Sequence, residues 1–267
     1  MHETRYHRPK SLAEAAKMFS DAADGRYLSG GHTLIPTMKQ RLATPSDLID
    51  LSRLSELRGV SAGSGMLTIG AATTHSEVAS SEQVRKAIAA LAALAGMIGD
   101  PAVRHKGTIG GSLANNDPAA DYPAAVLGLG ATIHTNKRAI AADDFFKSLF
   151  ATALADGEII TKVAFPVPSK AAYEKFYNAA SRYALTGVFV AVTQTGKVRV
   201  AVTGAGAKGV FRAGDIERAL STKFGPDVIA GLAVDPSDML SDMHGSAVYR
   251  ANLVKVMAAR AVASITP

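Results

Sequence analysis

Two pairs of adjacent glycines are the residues whose type and spacing most directly indicate a binding site. The first pair lies in the segment SGGHT at 29–33, after the apolar residues Tyr27 and Leu28, and the second lies in GTIGGS at 107–112. Consecutive backbone N–H groups in such turns can converge on an anion, and the missing Cβ atoms let phosphate oxygens come close. Two such loops together could therefore hold one pyrophosphate from both sides.

Neither loop has the spacing of the better-known nucleotide-binding motifs. A dinucleotide fingerprint requires G-x-G-x-x-G and a phosphate-binding loop requires G-x-x-x-x-G-K-[ST], which SGGHT and GTIGGS do not match. One glycine pair alone is a weak signal, because most such turns only reverse the chain. The first loop also precedes a predicted helix, whose N-terminal dipole favours an anion.

The polar residues near the loops leave their roles open. His32 could be a ligand, a base or a covalent attachment point, while His75, His105 and His134 lie in unrelated contexts. Asp121 begins a predicted helix after the second loop, where its carboxylate could bind ligand hydroxyls such as those of a ribose. Spacing alone slightly favours the simpler role of a helix N-cap for this aspartate.

The elements that position the first loop alternate between helix and strand. Ser11 and Glu14 have the spacing of a capping box, which predicts a helix that ends near residue 24. A strand through Tyr27 and Leu28, a helix over 34–42 and a strand over 47–51 follow. This order predicts a small α/β layer.

The elements around the second loop begin with a predicted hairpin whose turn lies at 63–65. A second capping box at 74–77 and a long helix from about Glu82 to Met97 follow it. Between residues 100 and 121 the chain is rich in glycine and polar residues without periodicity, which predicts a functional loop. A helix and two strands then lead to Pro166.

The segment 167–170 is a predicted linker, because Pro166 and Pro168 favour an extended path, and it predicts a domain boundary. Beyond it, three β-like runs precede predicted helices near 213–220, 226–232 and 245–263. Strands followed by helices predict a separate α+β domain of about a hundred residues.

The composition limits the classes of protein to which this chain can belong. Its 267 residues are 48% hydrophobic and contain no bilayer-length apolar run or secretion signal, so we expect a soluble, cytoplasmic protein. The absence of cysteine excludes iron–sulfur and cysteine-ligated zinc centres on this chain. A charge of +6 without basic runs interleaved with aromatic residues argues against nucleic-acid binding.

Long segments around the two glycine pairs resemble a known family. The sequences SGGHTLIPTMKQRLATPSDLIDL and KGTIGGSLANNDPAADYPAAVLGLGA resemble the FAD-binding medium subunits of molybdenum hydroxylases, which include carbon monoxide dehydrogenase and xanthine dehydrogenase. YEKFYNAASRYALTGVFVAV and DMHGSAVYRANLVKVMAARAV resemble that subunit's C-terminal domain, so the likeness covers essentially the whole chain.

The resemblance implies an α+β fold with two parts. The first is a two-subdomain FAD-binding domain of the vanillyl-alcohol oxidase/CO dehydrogenase flavoprotein type, with subdomains at 1–58 and 59–167. The second is a smaller α+β C-terminal domain at 170–267.

The resemblance also implies which residues bind FAD. Both loops would wrap the pyrophosphate, Asp121 would bind FAD hydroxyls, Ile160 would pack near the flavin, and Lys175 or Tyr177 would reach it. The resemblance implies no catalytic residue and no metal ligand on this chain. The implied cofactor-binding residues are Leu28, Ser29, Gly30, Gly31, His32, Thr33, Leu34, Thr108, Ile109, Gly110, Gly111, Ser112, Asp121, Ile160 and Lys175. The first loop in that family clasps the pyrophosphate without a bond, so we expect non-covalent FAD rather than a linkage to His32.

The implied function is a step in an electron relay. In this family substrate is oxidised at a molybdenum cofactor on a large subunit, and electrons cross two [2Fe–2S] clusters on a small subunit. FAD on the medium subunit then passes them to an external acceptor. We therefore expect both partner subunits, in a dimer of heterotrimers, and the missing cysteines agree with clusters held elsewhere. The alternative is a free-standing flavin oxidase in which His32 or another residue acts directly on an organic substrate.

Overall fold

The N-terminal part of the chain forms a small parallel sheet. The computed structural model describes residues 3–266. Its first elements are β1 (Arg5–His7), α1 (Leu12–Asp21), β2 (Gly25–Leu28), α2 (Leu34–Lys39) and β3 (Asp47–Asp50). The three strands pair in the order β1-β3-β2, all parallel. The predicted alternation of helix and strand is confirmed, and the first glycine loop begins where β2 ends.

The central part forms a five-stranded antiparallel sheet in the order β4-β5-β10-β6-β7, with a separate two-stranded ribbon, β8-β9. Its elements are β4 (Val60–Gly63), β5 (Met66–Gly70), α3 (His75–Ser80), α4 (Glu82–Ala87), α5 (Ala89–Gly96), α6 (Pro101–Arg104), α7 (Ile109–Asn115), α8 (Tyr122–Leu129), β6 (Thr132–Thr135), β7 (Ala139–Ala141), α9 (Ala142–Phe145), β8 (Phe146–Ser148), β9 (Ala151–Thr152) and β10 (Ile160–Pro166). The predicted hairpin is β4-β5, and the predicted capping box of Thr74 and Glu77 opens α3. Both predictions are confirmed.

The predicted capping box at Ser11 is only half formed. Ser11 Oγ accepts from the N–H of Glu14 at 3.2 Å, as the motif requires. The Glu14 carboxylate instead accepts from the N–H of Lys10 at 2.6 Å, one residue before the cap. The helix therefore begins where the sequence predicts, with one of the two reciprocal bonds displaced.

Two predictions for the central part are wrong. The long helix expected from Glu82 to Met97 is broken at Ile88, whose φ of −145° and ψ of 79° lie outside the helical region. The break lets α5, which is buried on most sides, turn into the core, while α4 keeps an exposed side. The segment 100–121 is also not a structureless loop, because it contains α6 and α7, which are capped by the side chains of Asp100 and Thr108.

The C-terminal part is a four-stranded antiparallel sheet with helices on one face. Its elements are β11 (Lys170–Tyr177), β12 (Ala184–Val192), β13 (Val198–Thr203), β14 (Phe211–Arg212), α10 (Gly214–Thr222), α11 (Asp227–Ala230) and α12 (Ala247–Ile265). One face of the sheet packs on α10 and α12, and the other packs on the central part, where Phe189 lies against Gly128 of α8. The predicted strands and helices are confirmed, and this sheet is buried on both faces.

The described chain thus has the predicted α+β composition. No helix within residues 3–266 combines the length and the apolar character needed to cross a bilayer.

Candidate cofactor site

The two glycine loops lie against each other. A Cβ atom at Gly30 would lie 2.4 Å from the carbonyl oxygen of Lys106, so only glycine permits this contact. Ser29 Oγ and Thr108 Oγ1 are 2.8 Å apart and share a hydrogen bond. The fold therefore brings together the two glycine loops that the sequence predicts to share a site.

The first loop presents backbone donors that the protein does not use. Gly31 adopts a left-handed φ of +76° between β2 and α2, which a residue with a Cβ adopts only with strain. Among the described residues, no hydrogen bond engages the N–H groups of residues 30–33. Four consecutive free donors beside a cavity suit an anion, as the sequence predicts for this loop.

The second glycine pair has a different role. It lies in the first turn of α7, where Ile109 and Gly110 donate to the carbonyls of Thr73 and Ala71 at 3.2 and 2.8 Å. The next N–H group, that of Gly111, donates to Thr108 Oγ1 at 3.1 Å. The prediction of a second anion nest is therefore wrong, because these donors are engaged within the protein.

Close packing explains the glycines of the second loop. At Gly110, a Cβ atom would lie 2.6 Å from the Cβ atom of Ala71. At Gly107, it would lie 2.5 Å from the imidazole Nε2 of His75. The absence of these two Cβ atoms lets the start of α7 approach the end of β5 and the start of α3.

A cavity of ≈ 750 Å³ runs past both loops. The predicted site residues on its wall are Leu28, Ser29, Gly30, Gly31, His32, Thr33, Leu34, Thr108, Gly110, Gly111, Ser112, Asp121 and Ile160. Ile109 is fully buried, and neither it nor Lys175 or Tyr177 is among the wall residues. Within the part of the chain that the structure describes, no three His, Asp or Glu side chains are grouped to hold a metal ion.

Asp121 lies at the wall of the cavity but is held by the C-terminal sheet. Its carboxylate accepts from Tyr173 Oη at 2.6 Å and from Lys175 Nζ at 2.9 Å, and it does not cap α8. The side chains of Asp121 and Lys175 are 3% and 2% exposed. Burial raises the pKa of the Asp121 carboxyl, and the Lys175 ammonium and the Tyr173 hydroxyl oppose that rise. The N-cap role that spacing favoured is therefore wrong, and Lys175 lies behind the wall.

His75 is a wall residue for which the sequence predicts no role in the site. It is 5% exposed, its ring centroid lies 5.3 Å from that of Tyr122, and Nδ1 has no partner among the described residues. Burial, with smaller contributions from His32 and Arg104, lowers the pKa of His75 to about 4. The only sequence signal is its place directly after the cap of α3, which does not reveal the direction of the ring.

Two further wall residues were also missed. Tyr183, in the turn before β12, is 54% exposed. Glu158, before β10, is bonded by Arg138, and hydrogen bonds from this guanidinium are the main reason why the pKa of Glu158 falls to about 2. No motif marks either residue, because both reach the cavity through tertiary packing.

Comparison with known proteins gives consistent matches. Residues 2–168 match the family described as "FAD binding domain in molybdopterin dehydrogenase". The chain is 34% identical to the glyceraldehyde dehydrogenase medium chain of Sulfolobus acidocaldarius, over 97% of each chain. It is also 34% identical to the carbon monoxide dehydrogenase medium chain of Afipia carboxidovorans, over 96% of this chain and 94% of the relative.

The fold is similar to that of a solved relative. The structure of carbon monoxide dehydrogenase from Hydrogenophaga pseudoflava lacking the Mo-pyranopterin moiety superposes with a TM-score of 0.90 at 32% identity. The superposition covers 98% of this chain and 96% of that chain.

Proposed function

Because this chain belongs to the family of FAD-binding domains of molybdopterin dehydrogenases, we propose that it is the flavin-carrying medium subunit of a heteromeric molybdenum hydroxylase. The observation that carries the proposal is the cavity between the two glycine loops, with four free N–H groups on one wall. Relatives with full-length similarity are named as medium chains of glyceraldehyde and carbon monoxide dehydrogenases, which favours a subunit over a free-standing oxidase.

The residues present fit FAD. The cavity of ≈ 750 Å³ lies within the range of about 300–1,000 Å³ that small-molecule and cofactor sites occupy. Gly30 lies on its wall, and a Cβ atom there would meet the carbonyl oxygen of Lys106, so the two loops are in contact beside the cavity. The polar side chain of His75 also lines this wall, and its Nδ1 has no hydrogen-bond partner among the described residues.

The roles of the site residues follow from this geometry. The N–H groups of residues 30–33 bind the pyrophosphate, and the start of α7 closes the other side with Thr108 and Ser112. Asp121 forms part of the cavity wall, and its ion pair with Lys175 fixes the position of its carboxylate. Lys175 therefore acts on the cofactor through Asp121. Ile160, 5% exposed at the start of β10, gives an apolar contact. His32 provides backbone donors rather than a covalent bond, so the FAD is dissociable.

The protein binds and orients the cofactor, and bound FAD supplies the electron chemistry. With no cysteine, the chain needs a partner to carry iron–sulfur clusters. We place the molybdenum cofactor on a large subunit and the [2Fe–2S] clusters on a small subunit, in a dimer of heterotrimers. The external acceptor receives electrons from the flavin. A cytoplasmic location stays a prediction.

The domain boundaries are also part of the proposal. The parallel sheet belongs to the FAD-binding subdomain at 1–58, the five-stranded sheet to the one at 59–167, and the four-stranded sheet to the C-terminal domain at 170–267. The change of sheet at each boundary supports this division.

Binding and release of flavin test the proposed function. The purified chain should quench the fluorescence of added FAD with saturation at one FAD per chain. Acid precipitation should then leave the yellow colour in the supernatant. A chain that binds no FAD would refute the proposal, whereas flavin that remains with the precipitate would refute only non-covalent attachment. Affinity purification from the source cells should also recover two further chains, one of them rich in cysteine.

A further inference from the structure

The imidazole of His75 is held between the second loop and the core. Its backbone N–H donates to the carbonyl of Gly107 at 2.9 Å, and its ring packs beside Tyr122. The missing Cβ of Gly107 leaves the space that the Nε2 edge of the ring occupies. The ring therefore has one defined position, at the wall of the cavity.

Nδ1 of His75 is enclosed and has no hydrogen-bond partner among the described residues, and the residue is 5% exposed. A neutral imidazole carries one N–H donor and one acceptor, and each normally finds a partner when it is buried. Leaving Nδ1 unpaired destabilises the folded chain. If the position served packing alone, an apolar side chain of similar size would fill it better.

The neighbouring groups favour a neutral ring. His32 and Arg104 are the charged or titratable groups that act on it, and both disfavour its protonation, as burial does. Among the described residues, no carboxylate contributes to the shift of its pKa. The ring is thus available to a ligand as a hydrogen-bonding group rather than as a cation.

We propose that His75 is a further cofactor-contacting residue, whose imidazole forms a hydrogen bond to FAD bound in the cavity. The proposal rests on the proposed function, since it assigns a residue of the same site. It also explains why the chain keeps an unpaired polar ring in a buried position.

Three variants of the full chain separate this role from packing. His75→Leu removes both nitrogens and keeps an apolar volume, His75→Gln keeps a donor and an acceptor, and His134→Leu is the control. His134 lies in β6, is half-buried, and is not a wall residue of the cavity. Two quantities are measured: the Kd for FAD by fluorescence quenching, and the Tm of the flavin-free chain.

We expect His75→Leu to weaken FAD binding about two- to twelvefold, the effect of one neutral hydrogen bond. The same variant should leave the Tm of the flavin-free chain unchanged or raise it, because an unpaired buried group is gone. His75→Gln should retain more of the affinity than His75→Leu, and His134→Leu should bind FAD as the unmodified chain does.

Other outcomes overturn the proposal. Wild-type affinity in His75→Leu, or equal losses in the Leu and Gln variants, would show that the nitrogens do not contact FAD. If His75→Leu does not fold, His75→Met serves as the apolar variant and is compared with His75→Gln in the same way. Failure of the unmodified chain to bind FAD would instead refute the proposed function, and that result is distinct from any difference among variants.

Discussion

Replacement of Lys175 by methionine tests whether a buried ion pair joins the cavity wall to the C-terminal sheet. In the structure, Lys175 Nζ lies 2.9 Å from the Asp121 carboxylate, and the two side chains are 2% and 3% exposed. Lys175→Met leaves the Asp121 carboxylate buried with the Tyr173 hydroxyl as its remaining side-chain partner. Removal of one partner from a buried pair destabilises proteins by about 3–5 kcal/mol, so a loss of this size is expected at neutral pH.

The loss should depend on pH with a definite sign. Burial already raises the pKa of Asp121 in the folded chain, and Lys175 opposes the rise, so the substitution raises that pKa further. The folded variant then binds a proton at pH values where the unfolded chain, with an aspartate pKa of about 3.9, does not. Its free energy of unfolding therefore increases relative to that of the unmodified chain as the pH falls from 8 towards 5.

Urea unfolding followed by circular dichroism at pH 8 and pH 5 measures both effects. Lys17→Met is the matched control, because Lys17 pairs with Asp21 on the surface with side chains 75% and 60% exposed, and its loss should be about 0.5 kcal/mol or less. The double variant of Asp121→Asn with Lys175→Met should be more stable than Lys175→Met, since no unpaired charge stays buried. A Lys175→Met loss below about 1 kcal/mol, or one that does not change with pH, would refute the buried pair.

Two further predictions concern the loops and the acidic wall. Gly30→Ala should reduce FAD affinity and destabilise the chain by about 1–3 kcal/mol, because its Cβ would lie 2.4 Å from the carbonyl oxygen of Lys106. Gly63→Ala, whose Cβ would meet no atom within 4 Å, is the control and should stay within about 0.5 kcal/mol in urea unfolding. Arg138→Met should return the pKa of Glu158 from about 2 towards its ordinary 4.5. A carboxyl whose pKa is lowered by folding stabilises the folded chain at pH values above its pKa in the unfolded chain, and this contribution is lost as the pH falls. The difference in free energy of unfolding between this variant and the unmodified chain should therefore narrow from pH 6 to pH 3 in urea unfolding. A difference that does not change with pH would contradict a contribution of the Arg138–Glu158 pair to stability.

The sequence predicts most of the elements because local signals agree with the tertiary structure. The capping box at Thr74, the hairpin β4-β5 and the alternation around β2 all depend on neighbours along the chain. The break at Ile88 could not be predicted, because most residues of 82–97 are good helix formers and no proline or glycine lies next to it. It follows from a tertiary requirement, the entry of α5 into the core.

The cofactor site was predicted less completely, because it depends on tertiary contacts as the break at Ile88 does. The glycine pairs are visible in the sequence, and the contact of Gly30 with Lys106 confirms that the two loops meet. Whether a loop's N–H groups are free depends on what packs behind it, and at the second loop Ala71 and Thr73 occupy them. The partners of Asp121 and the orientation of His75 likewise come from segments far away in sequence.

The acidic residues of the wall are arranged so that the cavity can still accept an anion. Asp121 and Glu158 both line it, and a carboxylate near a pyrophosphate would repel it. Each is paired with a cation that is not a wall residue, Lys175 at 2.9 Å and Arg138 at 3.1 Å, so their negative charges are compensated in part before a ligand enters. The free N–H groups of residues 30–33 then favour an anion at the loop, together with Arg26 on the same wall. The pairing of these two carboxylates with Lys175 and Arg138 therefore reduces the repulsion that a phosphate-bearing cofactor meets at this wall.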